Sequence, residues 1–453
     1  MQTPNLSSTT ARPTSGHANY DYSMDMDAFV PRPPKSLEEA GVSASLVEQL
    51  ILKNLYFRGE TTGRELARIL GLQFSVIEGV VEFLKHGRLV EVKRASGIGS
   101  ISSVFTCSET GRIRAREYLD NNQFLGPCPV PLRDYTQAVR AQRVKPGWMT
   151  IDNLKKAFAG AVTTDDFFAK LGPAVNSFKS LLIYGLPGNG KTYLAEQLMH
   201  AEAETIFVPF VIEADGQFIK VFDSLYHERV EEEVESVLVQ AEEKFDRRWV
   251  KCRRPFITTG GELTMEMLDL MYIENAKIYD APYQLKANNG MYLIDDFGRQ
   301  QITPAELLNR WIYPLDRGRD YLMFNTGSKI EVPFECFLIF SSNLNPHDLG
   351  DEAFLRRLEY KMYMGNPNED EFASIFHGYC RKLKIECPVG LLAEIIRKHY
   401  REPGKNFRRC HPRDVLDVAV DLIRFEKRPY VLSRDLLDRA FALKFIPLDA
   451  MED

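Results

Sequence analysis

A chain of 453 residues can hold two or three domains with substantial cores, and 44% apolar with 26% charged residues is a globular composition, neither disordered nor fibrous. A formal net charge of -6 argues against a protein that coats nucleic acid through bulk charge. Seven scattered cysteines fit reduced thiols better than a disulfide framework or a zinc site. No apolar run reaches transmembrane length and the N-terminus carries no basic-then-apolar signal, so a cytoplasmic protein without membrane insertion is expected.

Residues 1–35 are rich in Ser, Thr, Pro and Asn and read as a disordered tail, with a short docking peptide around Tyr20 to Val30 as the sharper alternative. From Ser43 onwards helical periodicity sets in. Ser45 to Tyr56 carries Leu46, Leu50, Ile51 and Leu55 on one face. Thr62 reads as the N-cap of a second helix, with Glu65 in the capping-box position and Gly71 as its end. Ser75 opens a third helix through Val76, Val80, Val81 and Leu84. Leu89 to Lys93 and Ser103 to Cys107 alternate like strands around the loop Ala95 to Ser100, and Ser108 to Tyr118 closes the unit as a helix. The order resembles a winged helix. Residues 40–120 hold eleven Lys or Arg against nine Asp or Glu, a balance that favours protein contact over DNA; Lys93 and Arg94 are the best argument for DNA.

Gly126 to Pro131 reads as a stiff linker, followed by helices at Leu132 to Arg143 and Met149 to Phe158. The apolar run Leu181 to Tyr184 then meets Gly185, four residues, and Gly190, Lys191, Thr192, which is the complete Walker A pattern, with helical spacing behind it from Tyr193 to Met199. Glycines at 185, 188 and 190 let successive backbone N–H groups face phosphate oxygens at a helix N-terminus. The nucleotide-binding set is therefore Gly185, Leu186, Pro187, Gly188, Asn189, Gly190, Lys191, Thr192 and Tyr193, with Lys191 on the β- and γ-phosphates of ATP and the Thr192 hydroxyl on Mg²⁺.

Thr205 to Ile212 and Phe218 to Phe222 read as strands about the turn Asp215-Gly216. Glu228 to Phe245 reads as a long helix starting at the acidic cluster Glu231 to Glu233, and Pro255 to Thr258 as a strand. Met291 to Phe297 is an apolar strand ending in two carboxylates. Asp295 is assigned to Mg²⁺ and Asp296 to the attacking water. A helix at Pro304 to Tyr313, a hairpin of Tyr321 to Phe324 and Lys329 to Pro333, and the strand Phe337 to Phe340 follow. Asn343, at the end of that strand, is placed on the γ-phosphate or the water.

GLPGNGKT at 185–192, LIDDF at 293–297, IFSSN at 339–343, FLRRLEYKM at 354–362 and HPRDVLD at 411–417 occur in the order of an AAA+ ATPase, which residues 150–445 resemble. The resemblance implies an α/β P-loop parallel sheet with a C-terminal helical lid, added to the N-terminal winged-helix-like α+β domain. The implied domains are 36–125, a linker and helix at 126–150, the nucleotide-binding domain at 151–366 and the lid at 367–453. It matches Asn343 to the first sensor, Arg357 with Arg356 to an arginine finger acting on a neighbouring subunit, and Arg413 to the second sensor; Arg310 and Arg299 are rival fingers. The hairpin before the first sensor looks like the clade of MoxR-type and enhancer-binding ATPases, though the GAFTGA loop is absent. Most of the family has Glu where this chain has Asp296. The sequence is also similar to bacterial AAA ATPases with an N-terminal winged-helix-like domain. Implied is an ATP- and Mg²⁺-dependent ring, a hexamer, that remodels a protein client; the alternatives are a DNA-binding initiator or regulator, a nucleotide switch with little turnover, and a small-molecule kinase.

Overall fold

The computed structural model describes residues 29–94, 100–145, 147–199, 204–230, 244–350 and 352–445. The tail as far as residue 28, the loop from Ala95 to Gly99 and the acidic cluster Glu231 to Glu233 lie outside the described residues.

The N-terminal unit is built on three helices and a small sheet. Ser43 caps Ala44–Arg58 by accepting from the Leu46 amide, and Thr62 caps Gly63–Leu70 by accepting from Glu65; left-handed Gly71 ends the second helix. The third helix, Phe74–His86, opens at Phe74 rather than Ser75 and without a side-chain cap. Burial of the Phe74 ring in the core holds that end instead. Strand Val104–Cys107 lies between Thr61–Thr62 and Val90–Arg94, all antiparallel. Helix Glu109–Asn121, capped by Ser108, closes the unit. A Cβ on Gly111 would meet the Leu89 carbonyl at 2.0 Å, so this helix can dock only with glycine there.

Two expectations about flanking segments need correction. The expected tail extends to residue 35, yet Phe29 already stands edge-on to Phe207 and Trp249, and the Asp246 amide donates to the Pro31 carbonyl. One aromatic ring and a proline-stiffened backbone are enough to hold that stretch. Gly126 to Pro131 is not a free linker: Cys128 and Val130 are buried, and Val130–Pro131 adds a parallel strand beside Val211–Ala214.

That strand belongs to a β-module of which the sequence reading had only the runs Thr205 to Ile212 and Phe218 to Phe222. Its mixed sheet runs Met271–Ile273, Ile278–Asp280, Gln217–Lys220, Val211–Ala214, Val130–Pro131. A second pair, Thr205–Pro209 with Trp249–Arg253, packs on the same core, and Glu228 to Val230, expected to start a helix, instead runs along the edge of Trp249–Arg253. The hairpin Arg319–Met323 with Lys329–Pro333 turns Leu322, Ile330 and Val332 into this core, joined by Phe324 just past its first strand, while Tyr321 and Met323 face outward.

The central sheet is wholly parallel. Numbering its strands alone along the chain, β1 is Ser180–Tyr184, β2 Phe256–Thr259, β3 Met291–Ile294, β4 Phe337–Ser342 and β5 Tyr360–Tyr363; in space they run β2-β3-β4-β1-β5. Alternate residues serve opposite faces. Leu182, Tyr292, Leu338 and Phe340 pack towards Leu307 and Trp311 of helix Pro304–Arg317. Leu181, Ile183, Leu293 and Ile339 pack towards Leu171 of helix Asp165–Ser177 and Leu194 of helix Lys191–Met199. Both faces are covered at the inner strands β1, β3 and β4, which is why these three read as continuous apolar runs, while the edge strands β2 and β5 stay partly exposed. Four further elements, Glu369–Leu383, Leu391–Arg401, His411–Glu426 and Arg434–Lys444, share a separate C-terminal core around Phe376, Leu416 and Leu437. Among the described residues no helix is long and apolar enough to cross a membrane.

Candidate functional site

Parallel strands put the chemistry at one edge. The loop after β1, the turn after β3 and the end of β4 all emerge from the C-terminal edge of the sheet, with β1 and β3 on either side of β4. Gly185, Gly188 and Gly190 all have positive φ. A Cβ on Gly185 would sit 2.4 Å from the Met364 carbonyl, and one on Gly188 would sit 2.6 Å from Cys410 Sγ. The loop is therefore covered closely from two directions, and side chains at these positions would push the cover off.

Lys191 is buried and folds back over the loop. Its Nζ donates to the carbonyls of Gly185 (2.9 Å) and Leu186 (3.2 Å) and to Asn343 Oδ1 (2.6 Å). Burial lowers its pKa, with the Arg408 cation acting the same way and Asp295 and Asp296 opposing. Asn343 Nδ2 donates to Asp296 Oδ1 at 2.7 Å, so one amide is oriented at both ends, oxygen to the cation and nitrogen to the carboxylate. Thr192 Oγ1 donates to Asp295 Oδ2 at 2.8 Å. The turn beyond β3 is fixed by the Phe297 amide on the Ser341 carbonyl and by Ser342 Oγ on the Phe297 carbonyl, leaving Asp296 exposed at φ 49°.

Five expected residues, Lys191, Thr192, Asp295, Asp296 and Asn343, thus meet in one hydrogen-bonded network. Leu186, Pro187 and Tyr193 lie exposed around it. Thr192 and Asp295 present a hydroxyl and a carboxylate oxygen side by side, a hard-oxygen donor set that fits Mg²⁺ and would suit a thiophilic metal poorly. Among the described residues no group of three or more His, Cys, Asp or Glu could hold a metal by itself, so phosphate and water oxygens would have to complete the shell.

The arginines fall in three places. Arg413, matched to the second sensor, is exposed and pairs with its neighbour Asp414 at 3.1 Å. Arg408, absent from the sequence reading, starts much closer: its Cβ is 3.8 Å from where a Gly188 Cβ would lie, and Nη1 donates to Asn366 Oδ1 at 3.0 Å. The HPRD string drew attention to Arg413, whereas the Arg408-Arg409 pair in the preceding turn is what lies beside the phosphate loop. Arg356 and Arg357 precede β5, which pairs in parallel with β1 from Leu181, so they sit at the edge opposite their own phosphate loop; Arg357 Nε is 3.4 Å from Asp316. Arg310 is locked onto buried Asp320 at 2.6 Å and 3.0 Å, which removes it as a finger. Arg299 is exposed on the turn after Asp296.

A strand, a glycine loop under a lysine, a helix, and paired carboxylates at the end of a parallel strand one place beyond β4 fit a P-loop fold. Residues 368–443, the helical C-terminal unit, match the model of a domain of unknown function, DUF8689. No curated protein matches the chain. Among solved structures, the RuvB Holliday junction branch migration motor of Thermotoga maritima is 14% identical, over 67% of this chain and 72% of that chain, at a TM-score of 0.34. A mutant of the same RuvB is 12% identical, over 65% and 70%, also at 0.34.

Proposed function

We propose that this chain is an AAA+ type ATPase that binds ATP, hydrolyses it with Mg²⁺, and works as a ring that remodels a protein partner. The observation that carries the reading is the Lys191–Asn343–Asp296 chain of hydrogen bonds beside the Thr192–Asp295 pair. Backbone amides of residues 185–190 and the Lys191 ammonium hold the β- and γ-phosphates. Thr192 and Asp295 hold Mg²⁺, which neutralises phosphate charge when bound. Asp296, aligned by Asn343, orients the attacking water and accepts its proton. Arg357 and Arg356, at the far edge of their own subunit, serve a neighbour's site, which makes assembly part of catalysis. The winged-helix-like N-terminal unit contacts protein rather than duplex DNA: the outer face of its third helix carries Glu78 and exposed Phe83.

The test is the steady-state ATPase rate per subunit against protein concentration, for wild type, Asp296→Asn and Arg357→Ala, with mass measured in ATP. A rate that rises with concentration, ATP-dependent assembly and loss of activity in both variants support the reading. A concentration-independent rate from a monomer refutes the ring. Assembly on ATP without turnover would instead favour the switch reading, for which the short Asp296 side chain is the motive.

A further inference from the structure

Asn366 lies in the four-residue connection between β5 and Asn368, the N-cap of helix Glu369–Leu383, which carries the chain from the sheet into the C-terminal helices. Its Oδ1 is shared. From the phosphate loop, Asn189 Nδ2 donates to it at 2.9 Å; Asn189 is fully buried and also reaches the Met364 carbonyl at 3.4 Å. From the C-terminal unit, Arg408 Nη1 donates to the same oxygen at 3.0 Å. Around this point the two units touch again: the Cys410 amide donates to the Gly188 carbonyl at 2.8 Å, and the Arg409 amide approaches Asn189 Oδ1 at 3.5 Å. Arg409 is itself tied down, to Glu371 at 3.1 Å and to the Val162 carbonyl at 3.0 Å, so the turn that carries Arg408 is braced on both sides.

We propose that Asn366 is a positioning residue for nucleotide binding: it holds the Arg408 guanidinium over the phosphate loop and ties it to Asn189, so that loop occupancy and the placement of the C-terminal helices are one equilibrium. The inference rests on the reading of residues 185–192 as a phosphate site. A guanidinium has five donors, of which Asn366 engages Nη1, and its planar fork suits phosphate oxygens. An arginine on a long side chain holds that aim only if something removes its rotational freedom. The Asn366 oxygen does so from the hinge, where any swing of the helices would break its contact with either the loop or the arginine.

The experiment is a double-mutant cycle read by fluorescent-ATP binding to the full chain with Mg²⁺: wild type, Asn366→Ala, Arg408→Ala, the double variant and, as a control on the site, Lys191→Ala, with thermal melting alongside. Asn366→Ala should weaken binding about tenfold, on the order of one charge-assisted hydrogen bond. The double variant should bind no worse than Arg408→Ala alone, because the amide acts through the arginine. Additive losses overturn the proposal, since they mean that Asn366 supports the loop independently of Arg408. Wild-type affinity in Asn366→Ala overturns it too. Unchanged binding by Lys191→Ala is a separate failure, that of the phosphate site itself. Should Asn366→Ala melt far below wild type, Asn366→Ser decides: its shorter side chain leaves the backbone connection intact and should still lose the coupling to Arg408.

Discussion

Replacing Asn343 by alanine separates turnover from binding. The wild-type side chain makes two charge-assisted hydrogen bonds, from Lys191 Nζ at 2.6 Å and to Asp296 Oδ1 at 2.7 Å. Their loss does not act equally on the two steps. Lys191 keeps the carbonyls of Gly185 and Leu186 and is released from one competitor for phosphate, so ATP affinity should stay within about threefold of wild type. Asp296, already exposed, loses its aligning donor. One hydrogen bond to a charged group is worth roughly 1.5–3 kcal/mol, and if that alignment is needed in the transition state, kcat falls by about 10- to 150-fold. Steady-state hydrolysis together with direct nucleotide binding measures both quantities. Asn343→Asp sharpens the test, because a second carboxylate at hydrogen-bonding distance from Asp296 disfavours double ionisation and should shift the pH–rate profile upward. A wild-type kcat in Asn343→Ala, or a loss confined to KM, refutes the role given to this amide.

Three further outcomes follow from the geometry. Arg310→Ala leaves the Asp320 carboxylate buried without its cation, a loss of about 3–5 kcal/mol, so its thermal transition should drop sharply; Arg357→Ala breaks a partly exposed pair worth ~1 kcal/mol or less and should melt near wild type. His411, whose Nδ1 meets the Tyr400 hydroxyl, is pushed down to about 4 by burial and by the nearby Lys405 and Arg408 cations. The unfolded chain therefore binds the proton first: the His411 contribution is complete above pH 6.5 and is lost as pH falls towards 4, so melting of the C-terminal unit should show a pH slope that His411→Gln removes. Cys387 is held below the usual thiol range by the hydrogen bond from Cys380, whereas burial raises Cys410, so near pH 8 iodoacetamide should label Cys387 before Cys410, as read by peptide mass.

Legibility followed the range of the interactions. The three inner strands β1, β3 and β4 are buried on both faces, so each writes its own apolar run, and Gly185 to Thr192 and Asp295-Asp296 sit at strand ends where short-range spacing is enough. The β-module left only a partial trace, the runs Thr205 to Ile212 and Phe218 to Phe222. Its strands are two to five residues long and find partners far along the chain: Val130 pairs with Ile212, and Tyr279 with Ile219. Nothing local to Val130-Pro131 distinguishes a two-residue strand from a stiff linker. The arginines show the same limit. Arg310 looked available until Asp320, ten residues on across a helix end, was seen to hold it, and Arg408 was not considered because a motif string lacks the fold of the turn around Cys410.

The β-module also changes what the hairpin can do. A free-standing hairpin could swing with each nucleotide step, but this one has one face in a core, its Met323 amide on Asp269 and its Asn325 amide on the Tyr279 hydroxyl. The module is joined in turn to the N-terminal unit through Arg248, which pairs with Asp246 at 2.8 Å while both are almost fully buried and donates to the Ala40 carbonyl at 2.7 Å and the Pro129 carbonyl at 3.3 Å. Removing one partner of such a pair costs about 3–5 kcal/mol, so Arg248 and Asp246 are held together where the two units meet. Hairpin, β-module and N-terminal unit are thus joined through buried groups: the hairpin by its apolar face, and the N-terminal unit by the Arg248 guanidinium that Asp246 holds in place. The hairpin meets helix Pro304–Arg317 of the central fold where Arg310 grips Asp320 and the Tyr321 carbonyl, so a displacement of the hairpin against that helix has to break a buried ion pair first.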